Sequence, residues 1–410
     1  MPEFLTLLPP LEARQNLLDN FTPNLESETI DTQSALGRVT AGPVTAPFSL
    51  PSFARSTVDG FAVRAADTHG AGESLPAYLN NVGEVPMGGV PDFGIEATQC
   101  AVIHTGGMLP EGADGVVMIE YTQAAKAGEI EIMRAVGVGE NILQVGEDVK
   151  ERDVVIPAGS HLRPAEIGGL MALGIKEIAT VRPPRVAILS SGDEVISPDE
   201  ELNPGQVYDV NSYTLSALVQ QHGGIPVQYG IVPDDAESLK AEAQSAKGTC
   251  DLVVITAGSS ASTRDLTAGV IDSLGKPGVL VHGVNVRPGK PTILGVCDGV
   301  PMIGLPGNPV SALVIARLFV AQVIEAMLGL ETPPITSSIS ATLSINLSSQ
   351  AGREDWVPVQ LQAGENGYVA EPVFGKSNLI FTLSRADGLV RIPPAANGLA
   401  AGDVVEVQLM

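Results

Sequence analysis

Between residues 185 and 328 the chain alternates short, mostly apolar runs with longer stretches whose apolar positions recur every three or four residues. The short runs predict strands at 186–189, 225–231, 252–256, 279–282 and 302–305, and the periodic stretches predict helices at 213–222, 236–246, 266–274 and 310–328. Strands without polar alternation are covered on both faces, so this succession implies a mostly parallel sheet inside an α/β domain. Ligands of such sheets bind outside the carboxyl ends of the strands, in the loops that follow each run.

The flanking regions have a different texture. Residues 5–20 suit a helix. From 49 to 145, short β-like runs such as 101–104 and 115–121 are separated by glycine turns and read as a β-rich domain. Residues 149–181 hold a strand-like Val154-Val155-Ile156, a turn at Pro157-Ala158-Gly159 and a helix over 164–173; this stretch is expected to pack beside the N-terminal helix as one discontinuous linker domain. Arg182-Pro183-Pro184 marks entry into the α/β domain and Glu331-Thr332-Pro333-Pro334 its end. Beyond that, alternating runs at 341–347, 356–361 and 404–409 predict a small antiparallel β domain. The expected division is therefore 1–48 with 146–182, then 49–145, 183–330 and 331–410.

Composition narrows the function classes. A chain of 410 residues exceeds what one core organises, and 44% hydrophobic with 17% charged residues describes an ordinary globular protein. The net charge of -24, from 23 Lys plus Arg against 47 Asp plus Glu, argues against nonspecific binding to nucleic acid or an anionic membrane. An anionic ligand would need a local basic pocket. Cys100, Cys250 and Cys297 lie far apart, which indicates neither a zinc site nor a disulfide framework and fits a reducing cytoplasm. The N-terminus lacks the apolar core of a signal peptide, and no uninterrupted run of about 18 apolar residues occurs, so a soluble protein is expected.

Two glycine-proline loops carry the clearest local chemistry. The apolar run 300–305 ends in Pro306-Gly307, after which Asn308 is placed as N-cap and Pro309 as first helical residue. Backbone N–H groups at such a helix start, with the helix dipole, favour a phosphate or another oxyanion; a capped core helix without a ligand has the same sequence. In the other loop, Pro288-Gly289-Lys290-Pro291 follows Arg287. With Arg264, Arg287 and Lys290 supply the positive charge that the chain otherwise lacks, unless they are solvated surface groups.

Acids gather after three successive strands. Asp193 and Glu194 follow Ser190-Ser191-Gly192, Asp234 and Asp235 follow the second strand, and Asp265 closes the loop after the third. Hard oxygen donors on one rim suit Mg²⁺, which accompanies phosphate. Taken singly, Asp234, Asp235 and Asp265 read better as helix caps or first-turn acids; taken together, the acids favour the metal-phosphate reading. The small residues 257–262, with Gly258, Ser259 and Ser260, make a loop able to wrap an oxyanion. Rossmann, Walker A, HExxH and GxSxG patterns are missing, and the five histidines are scattered. Asp59-Gly60 and Gly146-Glu147-Asp148 in the β-rich region read by themselves as turn and loop.

The ordered set SxxDGFAV, HTGxxLPEGADGVVMIE, GED, SSGDE, PDD, RD, RPGKP and GLPGNPVSA resembles, over nearly the whole chain, the molybdopterin molybdenumtransferase family. That family includes the bacterial MoeA proteins and the carboxy-terminal domain of gephyrin. The resemblance implies a central MogA-like three-layer α/β domain with a mostly parallel sheet, a β-rich domain, a discontinuous linker domain and a small β-barrel-like C-terminal domain, in an elongated cytoplasmic homodimer. It also implies insertion of molybdate into adenylylated molybdopterin, with Mg²⁺-dependent pyrophosphate cleavage and release of AMP. Partners would be molybdopterin adenylyltransferase and other cofactor-assembly proteins, with neither nucleic acid nor membrane.

Carried over by motif, Asp59, Asp148, Glu194, Asp234 and Asp265 become the catalytic acids, with Glu194, Asp234 and Asp265 the metal-associated ones. Thr105 joins Asp59 and Asp148 as a contribution of the β-rich region across a dimer interface. Substrate contacts fall to Ser190, Gly192, Asp193, Gly258, Ser259, Ser260, Arg264, Arg287, Pro288, Lys290, Pro306, Asn308 and Pro309, and in the last domain to Ser377 and Arg385. Two departures stand out. Ala257-Gly258-Ser259-Ser260-Ala261-Ser262 replaces the common Gly-Gly-x-Ser-x-Gly, which stiffens the loop. His282-Gly283-Val284-Asn285 stands where many members place a lysine upstream of the PGKP lysine, which removes one positive charge. Alternatives are a molybdopterin adenylyltransferase, a tungstate-inserting variant and a noncatalytic molybdopterin-binding scaffold. The DGFAV and GEDV regions favour insertion over adenylylation, and the five acids together favour catalysis over scaffolding.

Overall fold

The strand Arg185–Ser191 is buried at every position after the first, as an unbroken apolar run requires in a sheet covered on both faces. It belongs to a six-stranded sheet ordered Ile225–Val232, Arg185–Ser191, Leu252–Ala257, Val300–Pro306, Ile293–Cys297, Pro277–His282. The first four strands are parallel, and Ile293–Cys297 runs antiparallel to both its neighbours. That strand is the one the apolar pattern did not separate: a two-residue Asp298-Gly299 turn with φ of 51° and 89° folds it back on Val300–Pro306, a tight hairpin signal.

Alternate residues of the strands feed two cores. Val186, Ile188, Leu252 and Val254 pack with Leu215, Leu218 and the helical residues Val310 to Leu328, while Ala187, Leu189, Val253 and Ile255 pack with Leu239, Ala243, Val270 and Ile271. Helices Asn211–Gln221 and Pro309–Ile315 therefore cover one face, and Ala236–Lys247 and Ala261–Ser273 the other. This is the three-layer arrangement expected. Pro309–Ile315 continues through a π-helical turn, Ala316–Val320, into Ala321–Met327. By length and composition this 19-residue helix is apolar enough to cross a membrane, yet 67% of its apolar window is buried inside the protein, so it reads as a core helix.

These coordinates come from a computed structural model, which describes residues 7–257, 261–330 and 337–410. Contacts divide them into two units, Met1–Ala41 with Ala158–Arg163 and Glu177–Met410, and Gly42–Pro157 with Pro164–Lys176. The N-terminal helix, Pro10–Asp19, is shorter than the sequence pattern. Its buried Ala13 and Leu17 join the core of the α/β sheet, and Arg14 donates to Gln322 at 3.2 Å. Its partner is thus the long core helix. The Pro164–Ala172 helix belongs to the other unit.

In the same first unit, Glu354–Gly364, Gly367–Pro372, Ser338–Leu343, Val404–Leu409 and Gly388–Ile392 form a ring of five strands, closed by pairing of the last with the first. Ala341, Leu343, Val359, Ala370, Val390, Ile392, Val405 and Val407 fill it. The expectation of a purely antiparallel domain fails at one pair, because Ser338–Leu343 runs parallel to Gly367–Pro372. Closure removes the free edges that a small sheet would otherwise expose. Val286–Arg287 adds alongside Glu354–Gly364.

The second unit holds a six-stranded sheet ordered Gly115–Met118, Gly60–Val63, Gln99–Ile103, Ala77–Glu84, Glu129–Ile132, Thr122–Lys126. It is the β-rich region foreseen.

Candidate active site

In the first unit, parallel register brings the strand ends together. Ser191 lies opposite Val232, and Ala257 opposite Pro306. The loops beginning at Gly192, Pro233 and Gly307 therefore leave the sheet on one side, where the strand Leu252–Ala257 also ends. Asp193 and Glu194 are exposed and Asp234 is half-buried. The Ser191 hydroxyl donates to the Asp234 carboxylate, and the Asp234 N–H donates to Asp193 Oδ1 at 3.3 Å. Asp235 does something else. Its carboxylate accepts the N–H groups of Glu237 and Ser238 at 3.0 and 2.9 Å, which makes it the N-cap of Ala236–Lys247. Those backbone donors, that of Ser238 foremost, hold its carboxyl below the usual carboxylate range.

Gly258, Ser259 and Ser260 lie outside the described residues, as do the side chains of Arg264 and Asp265, although the backbone of the latter two belongs to Ala261–Ser273. Among the described residues no group of three or more His, Cys, Asp or Glu is gathered closely enough to hold a metal ion. A surface cleft between the Ala236–Lys247 and Ala261–Ser273 helices is lined by Ala236, Lys240, Leu266, Gly269, Val270 and Ser273.

Ser190 is not displayed on this rim. It is 2% exposed, and its hydroxyl pairs with Ser212 at 2.9 Å and Thr256 at 3.2 Å, bracing the sheet just below the strand ends. The loop after Val300–Pro306 also differs from expectation. Asn308 takes the N-cap position but its side chain makes no capping bond, and the Val310 N–H is taken by the Ser377 carbonyl at 3.0 Å. One donor assigned to an oxyanion is therefore spent on the chain itself. Asn211, which the sequence did not single out, donates Nδ2 to the Gly307 carbonyl at 2.9 Å. A signal was available: Asp209 precedes it, and Asp209 accepts the Ser212 N–H at 3.1 Å as helix-start acids do.

Arg287 and Lys290 are both exposed, and Pro288 is half-buried. Their loop is anchored from beneath. The Lys290 carbonyl accepts the Val284 N–H at 2.9 Å, and the Thr292 hydroxyl donates to the Gly289 carbonyl at 2.6 Å. Gly289 has φ +111°, and a Cβ there would sit 2.2 Å from Ile315 Cγ1, so no other residue fits. In the last domain, Ser377 is half-buried, and Arg385 turns its Nε back onto the Phe381 carbonyl at 3.1 Å.

The second unit brings Asp59, Thr105, His104 and Glu84 together. Asp59 Oδ1 accepts the Thr105 N–H at 2.8 Å and its hydroxyl at 3.3 Å. The His104 ring bridges Glu84, at 2.9 Å, and Asp59, at 3.7 Å. The Thr105 N–H foremost holds the Asp59 carboxyl low, while the Glu84 hydrogen bond foremost pushes His104 above its ordinary value. Gly60 is required beside Asp59, since a Cβ would lie 1.9 Å from the Val117 carbonyl oxygen; it is a strand residue and not only the turn read from the sequence. Asp148 is exposed and tied by its backbone N–H to Leu50 at 3.1 Å.

Three family descriptions match in chain order: MoeA N-terminal region (domain I and II) at residues 8–174, probable molybdopterin binding domain at 187–326, and MoeA C-terminal region (domain IV) at 340–410. The chain is 34% identical over 405 residues to a putative molybdopterin biosynthesis protein of Methanocaldococcus jannaschii, covering 97% of this chain and 95% of that one. It is 32% identical over 414 residues to a molybdopterin molybdenumtransferase of Nostoc sp., covering 98% and 94%. A crystal structure of a molybdopterin biosynthesis MoeA protein from Pyrococcus horikoshii superposes with a TM-score of 0.87 at 32% identity, over 99% of this chain and 100% of that one. Fold, rim and likeness together define a multidomain protein built around a probable molybdopterin binding domain. The chain belongs to the molybdopterin molybdenumtransferase family, of the MoeA type.

Proposed function

We propose that this chain is a molybdopterin molybdenumtransferase of molybdenum cofactor biosynthesis, which inserts molybdenum from molybdate into adenylylated molybdopterin and releases AMP. The observation that carries the reading is the shared rim, where the acid-bearing loops at Asp193, Glu194 and Asp234 leave the parallel sheet on the same side as the Gly307–Pro309 loop. A pyrophosphate laid across the strand ends would meet both. As an oxygen of molybdate or water bonds to one phosphorus and the bridging P–O bond to it breaks, negative charge grows on the departing phosphate, and Arg287 and Lys290 are the exposed cations assigned to it.

Mg²⁺ fits the donor chemistry of Glu194 and Asp234, both hard carboxylates, and one or two carboxylates with substrate phosphates suffice for this ion. When bound, it would offset the charge of the phosphate oxygens. Asp265 is assigned as the third acid by its motif. Asp59, Thr105 and Asp148 are assigned to the half of the site that a second copy supplies in a cytoplasmic homodimer.

The test is AMP release from purified protein given adenylylated molybdopterin and Mg²⁺, with molybdate, with tungstate and with neither. Oxyanion-dependent AMP release with metal-loaded pterin supports insertion. Tight pterin binding without hydrolysis points to a scaffold and removes the reading. Glu194→Gln and Asp265→Asn are expected to abolish turnover while elution on gel filtration stays that of the wild type; full activity in both would remove the metal-acid assignment.

A further inference from the structure

Glu354 and Asp355 are consecutive acids at the start of the barrel strand Glu354–Gly364, and both side chains are buried, at 7% and 4% exposed. Carboxylates so placed are costly unless paired and hydrogen-bonded. Glu354 accepts Trp356 Nε1 at 2.9 Å and Arg391 Nη2 at 2.6 Å. Asp355 accepts a two-pronged bond from Arg353, Nε to Oδ1 at 2.6 Å and Nη2 to Oδ2 at 2.9 Å, the strongest geometry available to such a pair.

Asp355 is thus neutralised by its own strand, yet a second guanidinium reaches it. Arg287 Nη1 stands 3.8 Å from the same Oδ2. The backbone sets this meeting: Val286–Arg287 runs parallel to Glu354–Asp355 with Arg287 opposite Asp355. Two further bonds fix the junction, from the Glu354 N–H to the Asn285 carbonyl at 3.2 Å and from the Asn285 amide to the Gly352 carbonyl. Two guanidiniums on one carboxylate leave a net positive charge, in a chain of net charge -24, at the start of the loop that also carries Lys290. Arg287 itself is 66% exposed, which leaves its guanidinium, with five N–H donors, open to another acceptor.

We propose that Asp355 is a positioning residue for oxyanion binding: it holds Arg287 at the lip of the Pro288–Pro291 loop, with Arg353 as the counter-ion that keeps the buried carboxylate charged. The ligand is a tetrahedral oxyanion, a phosphate group or molybdate. The proposal rests on the reading of Arg287 as part of the substrate site. Without Asp355 the two guanidiniums repel, and the long Arg287 side chain spends its freedom in solvent.

The experiment titrates inorganic pyrophosphate and, separately, molybdate into the full-length wild type, Arg287→Ala, Asp355→Asn and the double variant by calorimetry. Each single change is expected to weaken at least one anion by about tenfold, and the double variant to bind no more weakly than Arg287→Ala, because Asp355 acts only through Arg287. The anion that responds tells phosphate from molybdate. In the AMP-release assay, Asp355→Asn is expected to raise KM more than it lowers kcat. Losses that multiply in the double variant, unchanged affinity in Asp355→Asn, or a wild type whose anion binding ignores Arg287 would each overturn the proposal. Should Asp355→Asn fail to fold, Asp355→Glu keeps the charge for Arg353 and displaces it by one methylene; it is expected to keep the melting temperature and lose affinity, and unchanged affinity overturns the proposal. Non-additive losses of anion binding across the variants, with no oxyanion-dependent AMP release in the wild type, remove the reaction and leave Asp355 in its role. Activity with multiplying losses does the reverse.

Discussion

Asn211 holds Gly307: its Nδ2 donates to the Gly307 carbonyl at 2.9 Å, so the first residue of one helix fixes the loop that begins another. Asn211 is 8% exposed, and its Oδ1 is buried without a hydrogen-bond partner among the described residues. Asn211→Ala leaves the Gly307 carbonyl unpaired and is expected to cost about 1–3 kcal/mol, read by urea unfolding. In AMP release it should raise KM more than it lowers kcat, since the loop loses its tether while the acids keep theirs. Unaltered KM would separate this bond from substrate binding.

Asp234 and Asp235 are neighbours with opposite expectations. Asp235 caps Ala236–Lys247, so Asp235→Ala is expected to lower the melting temperature and leave the Mg²⁺ dependence of turnover intact. Asp234→Ala is expected to spare the melting temperature and remove turnover. The pH dependence of the cap has a definite sign: a carboxyl held low in the folded state contributes stability above its ordinary value and loses it as pH falls through the folded value. The wild type should therefore lose stability on acidification more steeply than Asp235→Ala. Equal slopes would deny the cap its role.

His104 provides the complementary sign. Its imidazolium donates to Glu84 and lies near Asp59, and a histidine raised in this way contributes stability that is complete below its ordinary value, about 6.5, and is lost as pH rises through the folded value. An imidazole NMR titration is expected to show a midpoint above the ordinary one. Glu84→Gln should lower it further than Asp59→Asn, because the Glu84 hydrogen bond is the larger cause. A midpoint that ignores Glu84 would show that the pair does not persist in solution.

The strand-end acids were legible because a run of apolar strands and helices has few topologies, and a parallel sheet puts all its loops of one kind on one side. The hairpin partner Ile293–Cys297 escaped because the apolar pattern does not separate it from Val300–Pro306, and only the two-residue turn Asp298-Gly299 marks its end. The place of the N-terminal helix was not legible at all: Ala13 and Leu17 mark an apolar face, but nothing local says that the partner lies some three hundred residues away. Ser190 and Asn308 have surroundings that residue type alone does not give. A hydroxyl at a strand end and an asparagine at a helix start have the right types, yet one is consumed by Ser212 and Thr256 and the other makes no cap. Arg353 and Asp355 precede the alternating run 356–361, and nothing local marks their pairing; Asp355 is buried at the start of the closed barrel, where Val286–Arg287 pairs alongside.

Gly289 makes the sharpest demand on sequence in the anion loop. A Cβ there would meet Ile315 Cγ1 at 2.2 Å and Cδ1 at 2.3 Å, on a backbone with φ +111°, so Gly289→Ala combines a clash with the core helix and a conformation that side chains rarely adopt. It is expected to cost about 1–3 kcal/mol from overpacking and to weaken anion binding, because Arg287 and Lys290 flank the displaced residue. Ile315→Ala removes both clashing carbons at the cost of a cavity of its own, about 2–5 kcal/mol. In the double variant the penalty of Gly289→Ala should shrink to the backbone strain alone, so the two losses are expected to be less than additive in urea unfolding. Fully additive losses would show that the loop does not rest on Ile315, and the anchoring of the PGKP cations from beneath would then have to be abandoned.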